Sequence, residues 1–144
     1  MSALISMEQV NNRFRILTAY SPVCLSFRID YPEDGTHVVY GLWDSRQKEF
    51  FYIGRTHHFF RRMMAHCRIE NSRHENAPRS LLAQLSDRKF KLHNLGLCVN
   101  VAVLATCVDA DTAKVVEAAL IFHHRATLLN TQVYHRILED YYHV

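Results

Sequence analysis

A chain of 144 residues with 49% hydrophobic content is long enough for one domain with its own core, and too apolar for a disordered polymer. The net charge of +3 is a weak pointer to an anionic partner, and no apolar run approaches the roughly 20 residues that a membrane span needs. Met1 to Asn12 has no basic region followed by an apolar core, so it is not read as a secretory signal.

In chain order, residues 1–34 carry the weakest pattern: a short helix is expected over Glu8–Leu17 and a strand over Val23–Ile29. Pro32-Glu33-Asp34-Gly35 is a turn cluster. Thr36–Trp43 and Glu49–Ile53 read as strands, and the polar stretch Asp44–Lys48 between them suits an antiparallel hairpin. Gly54 punctuates the second strand, and Thr56 is expected to cap the helix that follows. In that helix Phe60, Met63, Met64 and Cys67 form one apolar stripe, while Arg62 and His66, four apart, lie one above the other on a different face. Asn71–Ala77 is a polar loop, Pro78 opens a short amphipathic helix carrying Leu81, Leu82 and Leu85, and valine-rich Leu97–Val108 is a third strand. Asp109 or Asp111 caps a helix over about 112–126, and residues 132–144 form a tail helix.

With no repeat, linker or low-complexity tract, the whole of 1–144 is read as a single domain. The expected class is α/β in the broad sense (α+β): a small, mainly antiparallel sheet of about three core strands, flanked by helices. Cys24, Cys67, Cys98 and Cys107 make no Cys-x-x-Cys pair and read as reduced, buried thiols of an intracellular protein, cytoplasmic or nucleoid-associated. Among ten histidines the adjacent pairs His57-His58 and His123-His124 point to different sides of a helix, and no zinc-ligand pattern is present.

Charge and chemistry concentrate in two places. Between Arg55 and Arg79 six arginines face two acids, a local excess of four positive charges that suits a phosphate backbone or, equally, an ordinary solvated face. Arg55, Arg61, Arg68 and Arg73 are the candidate DNA contacts in this stretch. The helix over 112–126 is apolar nearly all round, with Val115, Ala119, Phe122 and Ala126 on one side and Ala113, Val116, Leu120 and Ile121 over much of the rest. Such a helix is expected to be buried, which makes its lone acid, Glu117, either half of a salt bridge or a metal ligand.

The order of these features resembles the GIY-YIG nuclease family, over about residues 36–131. The first family motif stands here as Val38-Val39-Tyr40, with valine in place of glycine, and the second is intact as Tyr52-Ile53-Gly54. Arg62 follows Gly54 by eight residues and His66 follows Arg62 by four, both at family spacing. Glu117, three before Leu120-Ile121, matches the family's metal ligand, and Asn130 matches its late asparagine without the proline usually found shortly before it. The resemblance implies a metal-dependent endonuclease acting on DNA. Glu117 would hold Mg²⁺ or Mn²⁺ and Arg62 would clamp the scissile phosphate. Tyr40 would orient or deprotonate the attacking water, His66 would accept the proton, and Tyr52 would touch the phosphate or a water beside it. Gly54 and Asn130 would be structural. The alternatives are a catalytically weak nucleic-acid-binding module of the same fold, or an RNA nuclease. Monomer and homodimer are both compatible with the sequence.

Overall fold

Stretches rich in β-branched and aromatic residues become strands, and the order in which they pair sets everything else. The computed structural model describes residues 13–16, 23–67 and 81–130. In it Arg13–Ile16 (β1), Leu25–Arg28 (β2), His37–Asp44 (β3), Glu49–Thr56 (β4) and Val99–Cys107 (β5) form one sheet in the order β1-β2-β5-β3-β4. The helices are Phe59–His66 (α1), Leu81–Asn94 (α2) and Ala110–His123 (α3). The architecture is mixed α+β. β3 pairs antiparallel with both β4 and β5, β1 pairs antiparallel with β2, and β2 runs parallel to β5.

Alternation along β3 divides the core between two faces. Val38, Tyr40 and Leu42 point to one side, where Phe59 and Met63 of α1 and Leu85 and Leu92 of α2 meet them. Val39 points to the other, with Ile53, Ala113 and Leu128, and there Val116, Leu120 and Ile121 of α3 cover the sheet. A strand buried on both faces reads as a near-continuous apolar run, as Val38–Leu42 does. The β3–β4 register shifts between Leu42 and Trp43, leaving Phe51 without a direct partner. Phe51 and Tyr52 therefore both join the core on the α1 side. Asp44 closes the hairpin: its Oδ1 accepts from the backbone N–H of Arg46 and Gln47, and its Oδ2 accepts from Arg88 of α2 at 2.7 Å.

Several expectations are corrected here. The sheet has five strands, and the β2–β5 contact makes it mixed; that parallel pairing joins segments far apart in sequence and leaves no local signature. The helix expected over Glu8–Leu17 is, over Arg13–Ile16, strand β1; Arg13-Phe14-Arg15-Ile16 alternates polar and apolar with a period of two, which suits a strand once β2 offers a partner. Gly54 does not end β4, which continues to Thr56. Thr56 stands two residues before the cap, accepting from the His58 amide at 3.0 Å, and His58 occupies the cap position. The helix begun at Leu81 is fourteen residues long, because Leu85 and Leu92 bury one stripe for its full length.

The last helix is not buried all round. Val115 and Phe122 are 70% and 66% exposed, and Ala113 is its one buried residue. Covering one face of a small sheet needs only one stripe, so the remaining apolar side chains face outward. Asp109 caps this helix, accepting from Thr112 N at 2.7 Å. Cys24 and Cys98, expected as thiols, are joined as a disulfide where β2 begins beside β5, with Cα atoms 4.6 Å apart, inside the span a disulfide allows. Neither Cys67 nor Cys107 is in a disulfide among the described residues. The polar loop, Pro78 and the tail helix expected over 132–144 lie outside the described residues. Among the described residues no helix is long and apolar enough to cross a membrane.

Candidate active site

The β3–β4 register sets Tyr40 opposite Gly54 and Leu42 opposite Tyr52, so both tyrosines rise from the same face as diagonal neighbours. Their ring centroids are 6.2 Å apart. They fit because Gly54 has no side chain: a Cβ there would come within 2.7 Å of the Tyr40 hydroxyl and 2.8 Å of the Tyr52 ring. Helix α1 crosses above them with Phe59, Met63 and His66 facing inward. His66 is thus buried rather than on the polar face assigned from its spacing, and its ring lies 5.5 Å from that of Tyr40 and 5.6 Å from that of Tyr52.

Polar contacts tie this cluster together. The Tyr40 hydroxyl sits 2.7 Å from Nε2 of His66 and accepts from Nε of Arg62 at 3.2 Å. Lys89, reaching in from α2, places Nζ 2.9 Å from Nδ1 of His66 and donates to the His66 carbonyl at 3.0 Å. Burial, reinforced by Tyr52, pushes the Tyr40 phenol well above its ordinary value. The neighbouring Tyr40 oxygen raises Arg62 further, so the guanidinium keeps its charge. Burial first, then the positive charges of Lys89 and Arg62, hold His66 well below the ordinary imidazole value, so it is neutral at physiological pH.

Beside the tyrosines opens a cleft of about 730 Å³, whose lining includes His37, Tyr52, Arg55, Arg62, Lys114 and Glu117. Its walls come from the start of β3, the later part of β4, helix α1 and the earlier part of α3. Tyr52 and Arg62 reach it from one side and Glu117 from the other. Tyr40 lies fully buried beneath them.

Glu117 is not the deeply buried residue that the all-apolar helix had implied, and it is half of an ion pair, one of the two readings its sequence offered. Its Oε1 accepts from Nε of Arg55 at 3.2 Å, with side chains 24% and 39% exposed. Helix α3 covers the sheet with its other stripe, leaving Glu117 at the cleft wall beside β4. Among the described residues no group of three or more His, Cys, Asp or Glu converges as a metal cage. A single carboxylate on an open, water-accessible cleft nonetheless suits Mg²⁺, which keeps several waters and takes one or two carboxylates plus phosphate oxygens.

The structure therefore brings Tyr40, Tyr52, Arg62 and His66 into one cluster and sets Glu117 and Arg55 on the adjoining cleft. Arg61 turns away and lines a separate groove with Tyr31, Pro32 and Asp34. Arg68 and Arg73 lie outside the described residues. Asn130 grips β4, its Oδ1 accepting from Ile53 N at 3.1 Å and its Nδ2 donating to Ile53 O at 2.7 Å.

Three groups escaped the sequence reading: His37, Lys114 and Lys89. Lys114 stands one helical turn before Glu117, on the same face, which is a legible signal. Lys89 occupies a core position between Leu85 and Leu92, and a lysine inside an apolar stripe is the sign that would have found it. No family model, no curated protein and no solved structure matches this chain.

Proposed function

We propose that the protein is a divalent-metal-dependent endonuclease of the GIY-YIG type that hydrolyses phosphodiester bonds in DNA. The observation that carries this reading is the convergence of two tyrosines, an arginine and a histidine beside a cation-rimmed cleft that also presents a single carboxylate. Phosphodiester hydrolysis needs an oriented water, a cation at the developing charge and donors on the phosphate oxygens. Glu117 would hold the ion, Mg²⁺ or Mn²⁺, which when bound neutralises charge on the scissile phosphate. Arg62 lines the cleft while its Nε is anchored on Tyr40, so the rest of the guanidinium serves phosphate oxygens. Tyr52 lines the cleft and is the hydroxyl placed to meet the attacking water. Tyr40, buried and hard to ionise, orients the cluster from beneath and is not an efficient base in this setting. Arg55 and Lys114 add positive charge along the rim for flanking phosphates.

One observation favours a second reading. The Arg55–Glu117 ion pair engages the carboxylate that the ion would need, as expected of a module that binds nucleic acid with little catalysis. Incubating the purified chain with supercoiled plasmid and with RNA, in Mg²⁺ and in EDTA, separates these readings. The nuclease reading expects Mg²⁺-dependent nicking of the plasmid, abolished in Tyr52→Phe and Arg62→Ala. DNA binding without cleavage in any divalent metal supports the binding module. Cleavage confined to RNA reassigns the substrate.

A further inference from the structure

Lys89 belongs to no motif and does not line the cleft, yet its amine touches the one histidine of the cluster. Its ammonium can only donate. It has two acceptors on His66: the backbone carbonyl at 3.0 Å and ring Nδ1 at 2.9 Å. A neutral imidazole that accepts at Nδ1 carries its proton on Nε2, and Nε2 lies 2.7 Å from the Tyr40 hydroxyl. The histidine therefore donates to Tyr40, and Arg62 Nε donates to the same oxygen from a second direction. A phenolic oxygen that already accepts twice does not give its proton to either partner. That proton is left to face Tyr52, whose ring stands beside it.

We propose that Lys89 is a positioning residue: by donating to Nδ1 it fixes His66 in the Nε2–H tautomer, which makes Tyr40 a double acceptor and orders Arg62 and Tyr52 at the cleft. The ordering runs from α2 through α1 to β3 and β4, which explains why a lysine is kept in an otherwise apolar helix stripe. In this arrangement His66 is a donor to Tyr40, the reverse of the proton-accepting role that the family resemblance implies. The catalytic consequence rests on the nuclease reading; the tautomer does not.

The test is a long-range ¹H–¹⁵N correlation spectrum of the histidine side chains, with His66 assigned by the loss of its signals in His66→Asn. The unsubstituted protein is expected to show His66 protonated on Nε2, with Nδ1 shifted as a hydrogen-bond acceptor; a proton on Nδ1 overturns the proposal. In Lys89→Met, which keeps the length of the side chain and removes the donor, the Nδ1 resonance should move and the tautomers should mix. Lys89→Arg should restore the original pattern. An unchanged His66 spectrum in Lys89→Met also overturns the proposal. Plasmid nicking by Lys89→Met should fall on the order of 10- to 100-fold in kcat with KM unchanged, the range for groups that act by orienting a neighbour. Absence of nicking by the unsubstituted chain defeats the nuclease reading and leaves the spectroscopic result to stand or fall alone.

Discussion

Replacing Gly54 by alanine tests whether β4 and the tyrosine cluster are as closely fitted as the geometry indicates. The added Cβ would stand 2.7 Å from the Tyr40 hydroxyl, 2.8 Å from Cε2 of Tyr52 and 2.9 Å from Cζ of Tyr40. Tyr40 has no room to retreat, being fully buried and held by His66 and Arg62, and Tyr52 can yield only toward the cleft that it lines. Overpacking of this kind costs about 1–3 kcal/mol, while leaving glycine in a strand returns about 0.5–1 kcal/mol of chain entropy. Pushing Tyr40 off His66 adds about 1–3 kcal/mol for buried polar groups without a partner, giving a net loss of about 1–5 kcal/mol. Gly41→Ala is the matched control. Its Cβ would meet Phe50 at 2.7 Å and Leu104 at 3.2 Å, on the α3 face, where no buried hydrogen bond of the cluster is disturbed. Urea denaturation followed by circular dichroism should rank Gly54→Ala below Gly41→Ala, and only the former should move the His66 ring resonances. A Gly54→Ala protein as stable as its parent, with those resonances in place, would refute the reasoning.

Glu117→Gln should abolish Mg²⁺-dependent nicking while costing less than about 1 kcal/mol in a thermal melt, because the Arg55 pair it removes is part-exposed; full nicking would end the ligand assignment. Asp44→Ala should be far more damaging, about 3–5 kcal/mol by chemical denaturation, since Asp44 is 0% exposed and its loss strands Arg88 and two turn amides. A loss below about 1 kcal/mol would show that Arg88 finds another partner or water. His66 titrates well below the ordinary imidazole value of 6.5 in the folded chain, so the unfolded chain binds the extra proton as pH falls below that value. Its contribution is present above pH 6.5 and is lost on acidification toward the folded pKa, at about 1.4 kcal/mol per pH unit; His66→Asn should flatten that slope, and an unchanged slope would assign it to other groups.

The hairpin was legible because β3 and β4 are marked by local pattern alone: apolar runs, a polar connection and aromatic enrichment. From that pairing the meeting of Tyr40 and Tyr52 on one face followed. What the sequence concealed was long-range. β2 finds its parallel partner β5 across more than half of the chain, and β1 exists as a strand only because β2 is there to pair with it. Periodicity also misplaced two faces. Of the expected stripe Phe60, Met63, Met64 and Cys67, Met63 and Cys67 are fully buried, but the stripe is turned toward Phe59 and takes in His66, which its spacing from Arg62 had put on another face. Helix α3 looked buried all round because its composition is apolar, although a helix lying on one face of a sheet turns only one of its stripes to it. Glu117 consequently looked like a core residue when it stands at the cleft wall with Arg55. Lys89 shows the converse: a charge in an apolar stripe was visible, but its partner on another helix was not.

The grip of residues 127–130 on β4 has a consequence for association between molecules. Among the described residues β4 is an outermost strand, and the backbone groups on its far side would otherwise be open to an extended chain. Asn130 uses both atoms of its amide to occupy the N–H and C=O of Ile53, as a neighbouring strand would, and Thr127 Oγ1 donates to the Phe50 carbonyl at 2.7 Å. Two side chains thereby close part of that edge. With those groups taken, a second copy of the chain has no free N–H or C=O at Ile53, and no free carbonyl at Phe50, on which to extend the sheet.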